Sequence, residues 1–148
     1  MRESTMKLYT IGFTKHTAEE FFEKLKSAGV KRVIDIRINK TSQLAAFAKG
    51  SDLPYLLNAT GGIEYLSHSE LAPTKELLKS YRSKAINWEE FEVQYKKQIE
   101  ESKAISGLSK SEFDGACLLC SEETAEKCHR RLLAEKLAEL WGLQIQHL

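Results

Sequence analysis

Alternating apolar and amphipathic stretches predict a strand, a helix and a second strand at the start of the chain. Residues 7–12 form a short apolar run that ends at a glycine, which is typical of a buried strand followed by a sharp turn. Thr17 and Glu20 have the spacing of a capping box, and apolar residues recur at helical intervals up to Gly29. The β-branched run 31–37 predicts the second strand. Together these segments predict a βαβ unit with parallel strands.

The middle of the chain, residues 41–110, has a less regular pattern and predicts a helical insertion. We expect an exposed loop over 41–49, and Gly61 and Gly62 predict a break in the chain. The elements expected around this break are a short helix capped by Ser51 and reaching Asn58, a brief strand over 63–66, and helices over 74–82 and 88–102. Asn87 and Glu90 form a second capping box ahead of the last of these helices.

The final third returns to a regular alternation. Residues 115–120 are small and apolar, which is typical of a central strand buried on both faces. A helix is expected from about Cys128 or His129 to Trp141, and 143–147 predict a last strand. These patterns predict an α/β fold: one compact domain, residues 1–148, whose mainly parallel sheet of about four or five strands is flanked by helices. Residues 1–6 are expected to be flexible.

Composition and charge narrow the class of protein. The 148 residues include 22 Lys and Arg against 21 Asp and Glu, a formal net charge of +1. This balance argues against a histone-like polyanion binder, but it leaves a local basic site open. No apolar run approaches the roughly 20 residues of a spanning helix, and the N-terminal residues lack the pattern of a signal peptide. We therefore expect a cytoplasmic protein without a membrane partner.

Polar residues cluster where the predicted parallel strands end and where the last helix begins. Open parallel sheets bind ligands at the carboxyl ends of their strands, and a helix N-terminus favours an anion. We expect these side chains at one edge of the sheet: Gly12, Thr14, Asp35, Arg37, Cys120, Glu122, Cys128, His129 and Arg130.

The chemistry of these residue types indicates an anion site that could also catalyse a reaction. Gly12 would let the backbone approach a ligand that Thr14 contacts. Arg37 and Arg130 would bind the anion. Asp35 or Glu122 would move a proton, and Glu122 could instead orient His129. Cys128 would be the nucleophile, with Cys120 as the other candidate, because a helix N-terminus beside cations lowers the pKa of a thiol.

Structural interpretations of the same residues stay open. Cys128 and Cys120 could be buried, inert thiols, as free cysteines commonly are. Asp35 and Arg37 lie two residues apart on a strand, face the same side, and could form a salt bridge that only closes the strand end. Glu122 could simply cap the helix.

The three cysteines favour free thiols over disulfides or a metal site. Their spacing, C-x-x-C-x7-C-H from Cys117 to His129, resembles a zinc pattern. Cys117 and Cys120 would point to opposite faces of a strand, however, which disfavours both a zinc knuckle and a redox pair. We assign no metal and no cofactor, while a site built from Cys120, Cys128 and His129 stays as the metal alternative.

A basic cluster in the middle of the chain has the composition of a nucleic-acid groove. Its cations are interleaved with Tyr81, Trp88 and Tyr95, which could stack on bases. Several glutamates lie in the same stretch, and mixed charge is more typical of a solvated helix face. The cations are Lys79, Arg82, Lys84, Lys96 and Lys97. His68 is expected at the surface, and the candidacy of His16 and His147 is weak.

Four short motifs in the chain occur together in one known family. They are Tyr-Thr-Ile-Gly-Phe-Thr at 9–14, Ile-Asp-Ile-Arg at 34–37, Glu-Leu-Ala-Pro-Thr at 70–74, and Leu-Leu-Cys-Ser-Glu with Cys-His-Arg-Arg between 118 and 131. In combination they resemble the bacterial and archaeal family catalogued as domain of unknown function 488, over nearly the whole chain. The resemblance implies a compact α/β domain with a polar site near these motifs, and it implies no particular reaction.

The match to that family covers most of the candidate site. The positions that match its motifs are Gly12, Asp35, Arg37, Cys120, Glu122, Cys128, His129 and Arg130. The chain departs from the family pattern in two places. The stretch after Arg37 lacks the proline that the family usually has. Ser67 stands where the family often has a histidine, and the histidine of this chain is one position later, at His68.

Two classes of function follow from the sequence. The first is an enzyme that holds a small anionic or phosphorylated ligand, a nucleotide or a nucleic-acid end at the strand edge. The second is a non-catalytic module that binds a nucleotide, a nucleic acid or a protein, and in which the same polar residues are structural. The oligomeric state is not predicted.

Overall fold

A computed structural model describes residues 6–12, 17–37, 52–101, 105–120 and 129–148 of the chain. Five strands form one sheet, and every neighbouring pair is parallel. The strands are β1 (Lys7–Gly12), β2 (Arg32–Asp35), β3 (Glu64–Ser67), β4 (Ala116–Cys120) and β5 (Gln144–His147). Their order across the sheet is β3-β2-β4-β1-β5. The predicted α/β class and parallel sheet are confirmed.

In the described part of the chain, six helices flank this sheet. They are α1 (Ala18–Ala28), α2 (Leu53–Gly61), α3 (Lys75–Arg82), α4 (Trp88–Glu101), α5 (Lys110–Phe113) and α6 (His129–Trp141). Two single 3₁₀ turns, Ser69–Leu71 and Ile105–Gly107, lie between them. Within the described part of the chain, no helix is both long and apolar enough to span a membrane.

Local signals explain where the helices begin and end. The capping box of Thr17 and Glu20 is present at α1, and Gly29 ends that helix in the left-handed conformation. Asn87 and Glu90 exchange the same pair of bonds ahead of α4, at 3.1 and 2.8 Å. The break expected at two glycines is displaced, because α2 continues through Gly61 and ends at Gly62.

Some predicted boundaries differ from the structure, and some lie outside the described residues. Strand β3 is shifted by one residue from the predicted 63–66. The short helix α5 has no counterpart among the predicted elements, since four residues are too few to show an apolar period. Of the flexible start predicted at 1–6, residues 1–5 lie outside the described residues, as do the predicted loop over 41–49 and the predicted cap at Ser51.

The sheet separates two apolar cores. Alternate side chains of β1 and β4 point to opposite faces, so Ile11 and Leu119 pack with α1 and α2. Leu8 and Leu118 point the other way and pack with residues of α3, α4 and α6. Neighbouring strands β1 and β4 therefore lead into helices on opposite faces, which is the arrangement that opens a crevice at the carboxyl ends of the strands.

Candidate functional site

A buried ion pair closes the end of β2. The Arg37 guanidinium donates from Nε to Asp35 Oδ1 and from Nη2 to Asp35 Oδ2, both at 2.8 Å. The backbone N–H of Arg37 also donates to Oδ1, at 3.1 Å. The exposed fractions of the two side chains are 2% for Arg37 and 0% for Asp35. The salt bridge predicted from their two-residue spacing is therefore present, in the bidentate form that holds a guanidinium in one orientation.

Tyr65 completes this first cluster from the neighbouring strand. Its hydroxyl donates to Asp35 Oδ2 at 2.6 Å. Burial and the bond to Asp35 raise the pKa of Tyr65, so its proton stays on the hydroxyl. Sequence reasoning missed Tyr65, because its contact depends on the β2–β3 register that places Val33 opposite Tyr65. With this bond the Asp35 carboxylate accepts four hydrogen bonds, which favours an anchoring role over proton transfer.

A second cluster surrounds Arg130, the second residue of α6. Its exposed fraction is 1%. Its Nε donates to Thr10 Oγ1 at 3.2 Å and its Nη1 to Cys120 Sγ at 3.3 Å. These bonds hold the guanidinium against the ends of β1 and β4. Sequence reasoning missed Thr10, whose signal was a hydroxyl in a strand of otherwise apolar buried residues.

His147 extends this second cluster to the edge strand β5. Its Nδ1 lies 2.5 Å from Thr10 Oγ1. Burial lowers the pKa of His147, and the positive charge of Arg130 adds to the shift. The lowered pKa keeps His147 Nδ1 unprotonated, so the Thr10 hydroxyl can accept from Arg130 and donate to Nδ1. The weak candidacy of His147 thus becomes a definite contact with the site.

His129 joins the beginning of α6 to β2. Its Nε2 donates to the carbonyl oxygen of Ile36 at 3.1 Å. Burial lowers the pKa of His129 to about 4, and the charges of Arg130 and Arg82 act in the same direction. The ring is therefore neutral at pH 7, with its proton on Nε2. This geometry favours a positioning role for His129, since so low a pKa makes a weak base at neutral pH.

The two clusters lie at one edge of the sheet but on opposite faces. Asp35 follows the alternation of Val33, which packs against α1 and α2, whereas Cys120 belongs to the core beneath α6. His129 and Arg130 connect the three central strands, because they contact the ends of β2, β1 and β4. At the carboxyl edge, Asp35 and Arg37 thus form one cluster and Arg130 with Cys120 forms another, while His129 bonds to the backbone that follows β2.

The remaining predicted residues divide between the edge and the undescribed segments. Gly12 is buried at the end of β1, directly beside Cys120 in the register. Thr14, Glu122 and Cys128 lie outside the described residues, as does His16. Their assigned roles stay predictions.

The described cysteines differ in chemical state. Cys117 is a free, buried thiol whose pKa is raised by burial. Cys120 is disulfide-bonded, so the expectation of free thiols is wrong at this position. The sequence favoured thiols because the chain is large enough to fold without disulfides, an argument that does not exclude one. As predicted, the two side chains point into different cores.

His68 is not the surface residue that the sequence suggested. It donates to Glu70 Oε2 at 2.9 Å and to Glu112 Oε1 at 2.8 Å, and its ring stacks on Phe113. Sequence reasoning missed these partners because Glu112 is 44 positions away. Among the residues that the structure describes, no group of three or more His, Cys, Asp or Glu could hold a metal ion.

Fold and site together define a class: a parallel α/β domain with helices on both faces and a polar site at the carboxyl ends of its central strands. Within that class the chain belongs to the family described as Domain of unknown function DUF488, whose model matches residues 17–137. The resemblance noted from the motifs is therefore confirmed. Searches of curated proteins and of solved structures found no match.

Proposed function

We propose that this protein binds a phosphate-containing ligand at the carboxyl edge of the sheet and acts on it as an enzyme. One observation carries the proposal: two arginines, each at most 2% exposed, are held there in fixed orientations. Arg37 is anchored by Asp35, and Arg130 by Thr10 and Cys120. A guanidinium that is already held in one orientation attracts a phosphate at little entropic cost.

The electrostatics of the edge support an anionic ligand. The lowered pKa of His129 and of His147 each has a contribution from the charge of Arg130, so this region disfavours additional positive charge. Helix α6, 13 residues long, directs its N-terminus to the same edge. The positive end of the helix dipole there adds to the attraction.

The residues assigned to chemistry are fewer than the sequence suggested. Asp35 already accepts four hydrogen bonds, so Glu122 is the better candidate to move a proton. Cys120 has no thiolate while it is disulfide-bonded. Cys128 stays the first candidate nucleophile in reduced protein, because its predicted place at a helix N-terminus beside cations favours the thiolate.

Pyrophosphate binding tests the proposed site. We expect calorimetric titration to show binding to the wild-type protein, weakened about 10-fold or more by Arg130→Lys, because lysine cannot reproduce the guanidinium geometry. Arg131→Lys is the matched control, since the neighbouring Arg131 pairs with Glu135 at 3.1 Å on the helix surface. Absence of binding to the wild type, or equal weakening by both variants, would overturn the proposal.

A non-catalytic binding module is the second candidate. It is favoured by the use of both Asp35 and His129 in structural hydrogen bonds. The two candidates differ at Cys128: in reduced protein, Cys128→Ser should abolish phosphate release from a phosphorylated substrate but leave pyrophosphate binding intact. A variant that retains full turnover would reject Cys128 as the nucleophile.

A further inference from the structure

Helix α3 and the turn that follows it carry an exposed row of cations. Lys75, Lys79 and Arg82 lie on one side of the helix, because residues three and four positions apart share a face. Lys84 follows in the turn. At 1.5 Å per residue the row from Lys75 to Arg82 is about 10 Å long.

These cations differ from those of the neighbouring helices. On α4 and α6, Lys96 pairs with Glu92 at 2.9 Å and Lys136 with Glu100 at 3.6 Å. None of the four cations of the α3 row has a carboxylate within 4.0 Å in the part of the chain that the structure describes. The basic cluster found in the sequence therefore separates into a paired set on α4 and an unpaired row on α3.

Helix stability explains Lys79 and Arg82, which lie in the last turn of α3 where the dipole favours cations, but not the other two cations of the row. Lys75 is the first residue of α3, where the helix dipole disfavours positive charge. Lys84 has a φ of 66°, a left-handed conformation that glycine usually adopts after a helix. A lysine at each of these positions is better explained by a ligand than by folding.

Two adjoining cavities lie along the row, and Arg82 borders both. The first, about 470 Å³, is lined by Lys75, Lys79 and Arg82. The second, about 610 Å³, is lined by Arg82, Lys84 and Tyr81, whose ring also packs against Trp88 at 5.6 Å and Phe91 at 5.1 Å. Both cavities are largely open to solvent.

The second cavity has the chemistry of a base pocket. Tyr81 and Ile86 give it an apolar wall, and Asn87 gives it an amide. Asn87 Oδ1 accepts the N–H of Glu90, so Nδ2 keeps two donors for a ligand. Glu90 also lines this cavity, with its carboxylate accepting the N–H of Asn87. An aromatic ring, amide donors and a cationic border are the groups that hold single-stranded nucleic acid.

The row also approaches the carboxyl edge of the sheet. The Trp88 ring lies 5.6 Å from the Tyr81 ring and 6.0 Å from Cζ of Arg131, so it links the end of α3 to the beginning of α6. Tyr95, by contrast, is fully buried and donates its hydroxyl to the Leu71 carbonyl at 2.6 Å, which removes it from any stacking surface.

We propose that the α3 row binds the backbone of single-stranded nucleic acid, with phosphates on Lys75, Lys79 and Arg82 and one base in the cavity beside Tyr81. The strand then continues to the edge site. This inference rests on the proposed function, because it identifies the phosphate-containing ligand of that site as a polynucleotide.

Salt-dependent binding of an oligonucleotide tests the row. The probe is fluorescein-labelled oligo(U) of about 12 nucleotides, followed by anisotropy. Lys79→Gln with Arg82→Gln should weaken binding about 10- to 30-fold near 0.1 M salt and reduce the slope of log K against log salt by about 1.4. The matched control, Lys96→Gln with Lys97→Gln, removes the same charge from paired lysines and should change affinity less than about twofold.

Lys84→Gly separates binding from folding. Glycine suits the left-handed position, so the variant should keep or raise the Tm while it weakens oligo(U) binding about 5-fold. Unchanged affinity in both the Lys84 and the Lys79/Arg82 variants would overturn the proposal. Equal weakening by the Lys96/Lys97 control, or equally strong binding of poly-glutamate, would overturn it as well.

Pyrophosphate titration distinguishes this proposal from the proposed function. If the Lys79/Arg82 variant loses oligo(U) but keeps the Arg130-dependent binding of pyrophosphate, both are supported. Pyrophosphate binding without any oligo(U) binding overturns the polynucleotide assignment and leaves the edge site standing. A third outcome is that the protein does not bind pyrophosphate and that Arg130→Lys leaves oligo(U) binding unchanged. This outcome overturns both the edge site and the assignment of its ligand.

Discussion

At the scale of single residues, the stability of the edge depends on charges that cannot be removed one at a time. Asp35 and Arg37 satisfy each other in apolar surroundings, and Tyr65 adds a hydroxyl to the same carboxylate. Loss of one partner leaves the other charge buried, with a large desolvation cost. The pair therefore orients Arg37, and the stability of the fold depends on both residues.

Asp35→Asn should lower the free energy of unfolding by about 3–5 kcal/mol, because it leaves the Arg37 guanidinium buried without its counter-charge. Urea denaturation followed by circular dichroism measures the change. The matched control is Glu64→Gln, which breaks the exposed pair with Arg32 and should cost less than about 1 kcal/mol. Similar losses in the two variants would contradict the structural weight given to the buried pair.

The pH dependence of stability should show the state of His129. Its pKa falls from an ordinary 6.5 to about 4 on folding, so the unfolded chain binds the proton more readily between these values. The contribution of His129 is therefore present above pH 6.5 and is lost as the pH falls toward 4. Urea denaturation across this range should show a steeper loss in the wild type than in His129→Gln.

His68 should behave in the opposite sense and serves as the comparison. Burial alone would lower the pKa of His68, but its bonds to Glu70 and Glu112 outweigh burial and raise it above 6.5. Its contribution is thus present at low pH and is lost as the pH rises through the raised pKa. A His129→Gln curve parallel to that of the wild type below pH 6.5 would argue against a neutral, buried His129.

At the scale of elements, short contacts between segments that are distant in sequence hold the strands in register. Gly115, which precedes β4, donates its N–H to Lys7 and accepts the N–H of Lys31, both at 2.8 Å. The start of β4 is thereby tied to β1 on one side and to the segment that enters β2 on the other. Its φ of 76° makes these two bonds possible, in a conformation that favours glycine.

Gly115→Ala should destabilise the protein by about 1–2 kcal/mol, because a Cβ is strained at this φ and would lie 3.0 Å from the Lys31 side chain. Gly107→Ala is the control, since a Cβ there meets no atom within 4 Å and its effect should stay within about 0.5 kcal/mol. Thermal unfolding of both variants gives the comparison. Equal stabilities would show that the β4 start tolerates a side chain.

Local signals made most elements predictable from the sequence. Helix ends are predictable because the signals that define them lie within a few residues of one another in the chain. The capping boxes at Thr17 and Asn87 and the glycine at 29 are examples. The strand order was not predictable, because β4 inserts between β1 and β2 through pairings of high sequence separation. The Asp35–Arg37 bond is predictable from the two-residue spacing alone. The contacts of Tyr65, Thr10 and His147 are not, because they depend on the strand order.

At the scale of the whole molecule, one sheet divides two cores that unfold together if folding is cooperative. The reactivity of Cys117 measures whether the two cores unfold together, because its thiol is 0% exposed in the core beneath α1 and α2. Reagents reach such a thiol only when β4 opens. Since β4 is central and pairs on both sides, its opening requires disruption of the whole sheet.

Alkylation of Cys117 by iodoacetamide should therefore be slowed, relative to denatured protein, by the factor that corresponds to the global free energy of unfolding. Peptide mass spectrometry quantifies the modified fraction, and urea denaturation supplies the independent free energy. Cys120 should react only after reduction, which provides an internal control. Labelling much faster than global unfolding would reveal a local opening of β4.

The two outer strands of the sheet carry a consequence for self-association. β3 and β5 each have four residues, and most of their side chains are polar: Glu64 and Ser67 on one, Gln144, Gln146 and His147 on the other. Short, polar edges are poor templates for a further strand from another molecule. Copies of this chain should therefore not extend one another's sheets into fibrils.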